Sequence, residues 1–569
     1  MKTTPKTVLF AFLLSALTAP LWAQGTYTAA SCNQSDVNAV INGPTHTAVD
    51  GDVIKVPGGT CTWNSGIAIP AGIGITIQGA GTPNSTPSTR GPSSSCSTTV
   101  ITDNISAARG YMFTFQPGVS SSLTRISCMK FFGQSGLTSN AIHSPIGIAG
   151  TCNSSTCSKF RADNLSFDSS LEGVIADSNS LILIDNVFGV ADHNTTLSVF
   201  GKTGDAFVSF NHSAYNGIGQ YGDNSWTAPN SFGTDHTFYL ENNVFGPNTN
   251  PTESEAGAPN GGEGGGRAAT RFNDCNGCIQ GFANHGTDSN GRPRGGRQAE
   301  FYNNNYQCQD TSAGCQGGIA VRSGVNLMFN NSMTVASGSW FNAYMNLTDM
   351  RVRTIWSSPW GQCPGPYDLA SPLTCTDQPS RSGSRLLSGA TPTTGWTNEV
   401  IDPSYEWNDS GKSPNFSNVS AGPPSMLANQ DWWTDGTAGT ATPQTGVGTP
   451  FTGAPQSDGK GGIGYGPLAF RPNTCTTNPV SGVAGAGYWA TDQGPFWNNG
   501  TTQGQLYVCR DATNHVDING SATACTQAQD SNHFWCLYYK PYTYPHPLIG
   551  GATVANPPNP PSDLQTVVH

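Results

Sequence analysis

Apolar and polar residues alternate along this chain in short runs of about four to six, the period expected of β-strands with one buried face. The same small pattern, an apolar run, an asparagine and a second short apolar run, recurs in "FRADNLSF", "ILIDNVF", "VSFNHSAY", "FYLENNVF", "TRFNDC", "EFYNNNY" and "LMFNNSM". Aligned on Asn164, Asn186, Asn211, Asn243, Asn273, Asn304 and Asn331, the spacings are 22, 25, 32, 30, 31 and 27. A minimum near 22 with variable excess describes a coil of constant core and variable loops, which is the sequence signature of a solenoid. Strands this short cannot form a core alone, but stacked coils bury one continuous column. Asparagine tolerates the left-handed turn conformation, and its amide can bond the amide of the next coil. The pattern predicts an all-β chain, a right-handed single-stranded parallel β-helix with long groove-forming loops. A β-sandwich with Asn-rich turns is the alternative, disfavoured by the run of in-register matches.

Punctuation divides the chain. Residues 1–23 have a basic start, an apolar core and a small-residue end, read as a signal peptide cleaved at about Ala23/Gln24 and implying a secreted or periplasmic protein. Residues 24–345 carry the repeat. Residues 346–554 are rich in Pro, Gly, Ser and Thr and are expected to be a loop-rich β region packing on or capping the helix. Residues 555–569 read as a disordered tail. No later apolar run is long enough to span a membrane.

Charge narrows the partners. Only 11% of residues are charged and the formal net charge is −11, so nothing resembles a nucleic-acid footprint. The 16 cysteines of an exported chain favour disulfides, expected as local staples within Cys152/Cys157, Cys275/Cys278, Cys308/Cys315, Cys363/Cys375 and Cys525/Cys536. "CNGC" has no second CxxC to complete a metal site.

The longest spacings run from Asn211 to Asn331, so a groove is expected over those coils. The segments facing it hold Asp192, His193, Gln220, Tyr221, Asp223, Trp226, Glu263, Arg267, His285, Asp288, Arg292, Arg294 and Arg297. A positive cluster opening onto a groove of an acidic protein selects an anionic ligand, and guanidinium groups fork onto carboxylates. Each residue also admits a structural reading: His193 as a turn bond in a "DH" pair, Trp226 as loop packing, and the arginines as salt-bridge partners of Asp274, Asp288 or Glu300.

Three stretches carry a family resemblance. "VDGDVIKVPGGTCTWNSGIAIPAGIGITIQGAG" resembles the first coils of the pectate-lyase-like β-helix superfamily, and "AFVSFNHSAYNGIGQYGDNS" and "RPRGGRQAEFYNNNY" are similar to successive later coils, where an arginine cluster precedes a "YNN" turn. The resemblance covers about half of the chain. It implies a polysaccharide lyase that cleaves an acidic, uronate-containing glycan by β-elimination, with calcium as the cofactor. Where that family carries a lysine in the coil of "GIGQYGDNS", this chain has Gln220 or a neighbouring glycine, and its arginine spacing is shorter.

On this reading Arg292, Arg294 or Arg297 neutralises the uronate carboxylate. His285 or Tyr221 moves the proton, because a guanidinium holds its own above pH 12. Arg267, Asp288, Trp226, Gln220 and His193 bind substrate. Asp192, Asp223 and Glu263 are the candidate calcium ligands, being oxygen donors for a hard cation. A glycoside hydrolase using facing carboxylates such as Asp223 and Glu263 is one alternative. A non-catalytic glycan-binding or adhesin-like solenoid is the other. The expected partner is an extracellular polysaccharide, and the expected state a monomer.

Overall fold

The computed structural model describes residues 24–547 apart from 350–401 and a set of shorter stretches, among them 201–217, 222–229, 246–260, 285–295 and 309–316; residues 1–23 and 548–569 are also outside the description. The described chain is nearly all β, built from several parallel sheets. No described helix is long and apolar enough to cross a membrane.

The first sheet has 15 strands, twelve of which stack along one parallel path in chain order. Its later members are Phe238–Glu241, Arg267–Arg271, Gln298–Tyr302, Val325–Phe329, Ser404–Trp407 and Trp432–Thr434. The second sheet is an 11-stranded parallel array that includes Ile218–Tyr221, Gly261–Glu263, Gln280–Asn284 and Gly317–Val321. A third sheet has four parallel strands, Val244–Phe245, Asp274–Asn276, Asn305–Cys308 and Ser332–Val335. From residue 238 to 349 the chain visits the first, third and second sheets in turn, coil after coil, a winding compatible with a β-helix. Register partners Glu241, Arg271, Tyr302 and Phe329 repeat the 30, 31 and 27 spacing of the asparagines.

The asparagine column forms where it was expected, with its geometry corrected. Asn273 donates its side-chain amide to Asn304 Oδ1 at 3.0 Å, Asn304 to Asn331 Oδ1 at 3.0 Å, and Asn331 to Asp409 Oδ1 at 2.9 Å. Each amide also bonds a carbonyl of the preceding coil: Leu240, Thr270 and Phe301. The left-handed residue, however, is the one before each ladder amide: Phe272, Asn303, Asn330 and Asn408, with φ of 57°, 54°, 56° and 54°. Asn164 is itself left-handed at 52°. Its carbonyl oxygen accepts the backbone amides of Asn84 and Ser93, so it pins a loop and does not extend the ladder. Asn186, Asn211 and Asn243 lie outside the described residues.

Both faces of the later strands of the first sheet are buried, which is why Arg267–Arg271, Gln298–Tyr302 and Val325–Phe329 form continuous buried runs rather than the alternation of Val53–Val56. Leu240, Ala268, Phe301 and Met328 face the inner core. Tyr302, Leu327, Phe329, Tyr405, Trp407 and Trp433 join a second core with a C-terminal five-stranded sheet, which contains Ile463–Gly466, Gly487–Ala490, Gln505–Asp511, Cys525–Gln527 and His533–Tyr539. In that core Tyr302 stacks on Phe329 at 4.6 Å and Phe329 on Trp407 at 4.5 Å, nearly parallel.

Two further features depart from expectation. Helix Gln34–Ile41 buries Val37, Val40 and Ile41 against the first strands, and Cys32–Cys61 ties its entry to strand Gly59–Trp63. Nothing in the all-β reading anticipated it. Of the described disulfides with both partners known, only Cys525–Cys536 is a local staple; Cys32–Cys61, Cys96–Cys128 and Cys475–Cys509 bridge separations of 29, 32 and 34.

One turn gives a stability test. Gly324 has φ 65° between the second and first sheets, and a Cβ there would meet the carbonyls of Gly296 and Arg297. Gly324→Ala is expected to cost about 1–3 kcal/mol in urea unfolding, from backbone strain together with the clash.

Candidate functional site

Parallel strands place consecutive coils about 4.8 Å apart, so residues paired in register gather at one place although distant in sequence. At the carboxyl end of the second sheet, Tyr221 closes its strand opposite Glu263, and Gln220 pairs with Gly262. Gly262 pairs in turn with Asn284, the residue before His285. The structure therefore brings Tyr221, Gln220 and Glu263 into one strip of backbone. His285 lies outside the described residues, as do Asp192, His193, Asp223, Trp226, Asp288, Arg292 and Arg294. Asn284 is buried, and its amide bonds the Ser323 carbonyl at 2.9 Å and Asn326 Oδ1 at 3.1 Å, a second small amide pair that the sequence reading missed.

The two described arginines of the expected cluster do not open onto solvent. Arg267 begins its first-sheet strand and is 1% exposed; Arg297 precedes the next strand and is 2% exposed. The Arg297 amide donates to the Gly266 carbonyl at 2.8 Å, and its own carbonyl accepts the Val325 amide at 3.1 Å. Both arginines sit where the chain returns from the second sheet to the first. Gln298, the register partner of Arg267, accepts the Ser231 amide on its side chain at 2.6 Å, so the segment around Ser231 covers this strand start.

A buried charged cluster lies elsewhere, on the outward face of the first sheet. Glu241 and Arg271 are register partners and pair at 2.7 Å, both fully buried. Arg271 also donates to the Tyr302 hydroxyl at 2.9 Å and to the carbonyls of Tyr542 and Thr543, at 2.8 and 2.9 Å. Its guanidinium lies 4.5 Å from the Tyr239 ring centre. The second oxygen of Glu241 accepts the His546 amide at 3.0 Å. One strand further, Glu300 accepts the Tyr539 hydroxyl at 2.5 Å and the Gly233 amide at 2.9 Å.

Burial disfavours the Arg271 charge, yet Tyr302 and Glu241 beside it hold its pKa above the ordinary arginine value. Burial pushes the Glu300 carboxyl up to about 7, and the Tyr539 and Gly233 bonds only partly oppose it. This network is closed to solvent. Its chemistry is that of a lock: it fixes the C-terminal segment onto the sheet. Sequence reasoning offered Glu300 only as a salt-bridge partner of the arginines. The available signal was the placement of charges on the alternate positions of "FYLE", "RAATR" and "QAEFY" in a chain so poor in charge.

Among the described residues, the cluster able to present metal-ligand atoms close together is His515 with Cys525 and Cys536, and those two cysteines are already disulfide-bonded to each other. No protein-family model matches the chain, and no curated protein or solved structure is significantly similar to it.

Proposed function

We propose that this chain is an exported right-handed parallel β-helix protein of the pectate-lyase-like kind, cleaving an acidic extracellular polysaccharide by β-elimination at the carboxyl end of its second sheet. The observation that carries the reading is the register pairing of Tyr221 with Glu263, one strand step from the Gly262–Asn284 pair that precedes His285. A phenol at Tyr221 and a carboxylate at Glu263 on paired strand ends, with the imidazole of His285 next in sequence after Asn284, would supply the groups an elimination needs: one that removes the proton beside the uronate carboxylate and one that protonates the leaving oxygen.

With Arg267 and Arg297 buried, charge neutralisation of the substrate falls to Arg292 and Arg294. Glu263, with Asp192 and Asp223, has the oxygen-donor chemistry that calcium takes, and a bound calcium would supply positive charge to the substrate carboxylate. Tyr221 would hold or move a proton at its phenolic oxygen, and Glu263 would orient it.

The test follows unsaturated uronate absorbance and total reducing ends together, on residues 24–569 with a panel of acidic and neutral polysaccharides, with calcium and with chelator. Both signals are expected to rise on an acidic glycan, and Tyr221→Phe and Glu263→Gln to lower the rate by about a hundredfold or more. Reducing ends without absorbance would replace the lyase with a glycosidase. The burial of Arg267 and Arg297 favours a second reading, a non-catalytic glycan-binding solenoid. Silence in both signals, with retention on an acidic glycan column, would establish it.

A further inference from the structure

The amide ladder ends in acid. Asp409 takes the place a fourth described asparagine would occupy, and its Oδ1 accepts both the backbone amide of Asn331, at 2.5 Å, and its side-chain amide, at 2.9 Å. Its Oδ2 is buried without a hydrogen-bond partner. Three residues earlier Glu406 faces Met328 and Thr434 in register, is 3% exposed, and leaves its Oε2 equally without a partner. Asp435 closes the group from the last first-sheet strand: its Oδ2 accepts the Asn408 amide at 2.7 Å, and its own amide donates to the Glu406 carbonyl at 3.2 Å. The groups facing this cluster from neighbouring elements are Tyr306 of the third sheet, beside Asp409, and Tyr465 of the C-terminal sheet, beside Asp435. Among the described residues no lysine, arginine or histidine offsets these carboxylates. Nor do the three converge within reach of a single metal ion.

Buried carboxylates with neither a cation nor a full set of donors can be accommodated by protons. We propose that Glu406, Asp409 and Asp435 form a proton-operated latch that holds the last coils of the ladder closed on the acid side and loosens them as the protons leave. Burial raises all three above the ordinary carboxylate range, with mutual repulsion adding to Glu406 and Asp409. Raised folded-state values fix the sign. The unfolded chain releases these protons near pH 4 while the folded chain retains them, so the stabilisation is complete below about pH 4 and is lost as pH rises towards and through the folded values.

The experiment is amide hydrogen exchange at residues 404–410 and 431–435, corrected for intrinsic rate, from about pH 5 to about pH 8. Protection is expected to fall about tenfold per pH unit for each retained proton. Asp409→Asn, which continues the ladder with a neutral amide, and Glu406→Gln should each flatten that slope by about one proton. Glu406→Gln carries the test if the first variant folds poorly. Glu300→Gln, which removes the other raised carboxyl, should leave the slope at these residues unchanged. Protection that is flat or rises with pH, a slope untouched by both latch variants, or a slope abolished by Glu300→Gln would each overturn the latch.

Discussion

Replacing Asn304 by leucine is expected to destabilise the protein by on the order of 4 kcal/mol, close to the whole margin of many domains. The amide of Asn304 sits mid-ladder and is 1% exposed. Its oxygen accepts the backbone and side-chain amides of Asn273, at 3.1 and 3.0 Å, and its nitrogen donates to the Thr270 carbonyl and to Asn331 Oδ1. Leucine has the same branching and number of side-chain heavy atoms and is somewhat bulkier, so no cavity forms. What is lost is four hydrogen bonds in a place water cannot reach, and a buried group left short of a bond costs about 1–3 kcal/mol, less where it keeps another, as Asn331 Oδ1 keeps the Asn304 backbone amide. Asn304→Asp separates the contributions. It keeps the acceptor for Asn273 but sets carboxylate oxygens against Asn331 Oδ1 and the Thr270 carbonyl, so it should unfold more easily at neutral pH than in acid. Urea denaturation of the three proteins at two pH values reads the effect. A loss below about 1 kcal/mol for the leucine variant would mean that apolar burial, not the ladder, stacks the coils.

The ladder was legible because its physics repeats. An amide that must meet its own copy one coil later keeps its identity, and its 30, 31 and 27 spacing is the strand register itself. The left-handed column was displaced by one residue because Phe272 occupies it where the neighbouring coils carry Asn303 and Asn330, which hides the distinction between the turn position and the ladder position. The burial of Arg271 and Glu300 was not legible. Whether a strand's outer face meets water depends on where residues some 200 positions later fold back, as the bond from Tyr539 to Glu300 across a separation of 239 shows. Local alternation carries no record of that return. Of the candidate site residues, the register gathers Gln220, Tyr221 and Glu263 at neighbouring strand ends. Asp223 and Arg294 lie outside the described residues.

The second large effect is expected from Arg271→Met. The side chain is fully buried and joins three separate pieces of chain: Glu241 of the preceding strand, Tyr302 of the next, and the carbonyls of Tyr542 and Thr543. Methionine fills much of the volume but leaves Glu241 charged and enclosed, with only the His546 amide on its other oxygen. Breaking a buried pair from one side costs about 3–5 kcal/mol, because the stranded charge, more than the lost attraction, sets the penalty. The double variant Arg271→Met with Glu241→Gln removes that charge and should recover a substantial part of the loss, although either single change destabilises. A loss of anchoring should also appear locally. Stacking of Phe272 on Tyr544 at 3.6 Å is the main apolar contact left between this coil and the C-terminal segment, so limited proteolysis should cut near 540–547 in the single variant before the ladder coils open. If the double variant is no more stable than Arg271→Met, the charge is not what the pairing protects. The C-terminal segment would then be held by its aromatic contacts alone, and Tyr544→Ala, rather than any change at Arg271, should release it.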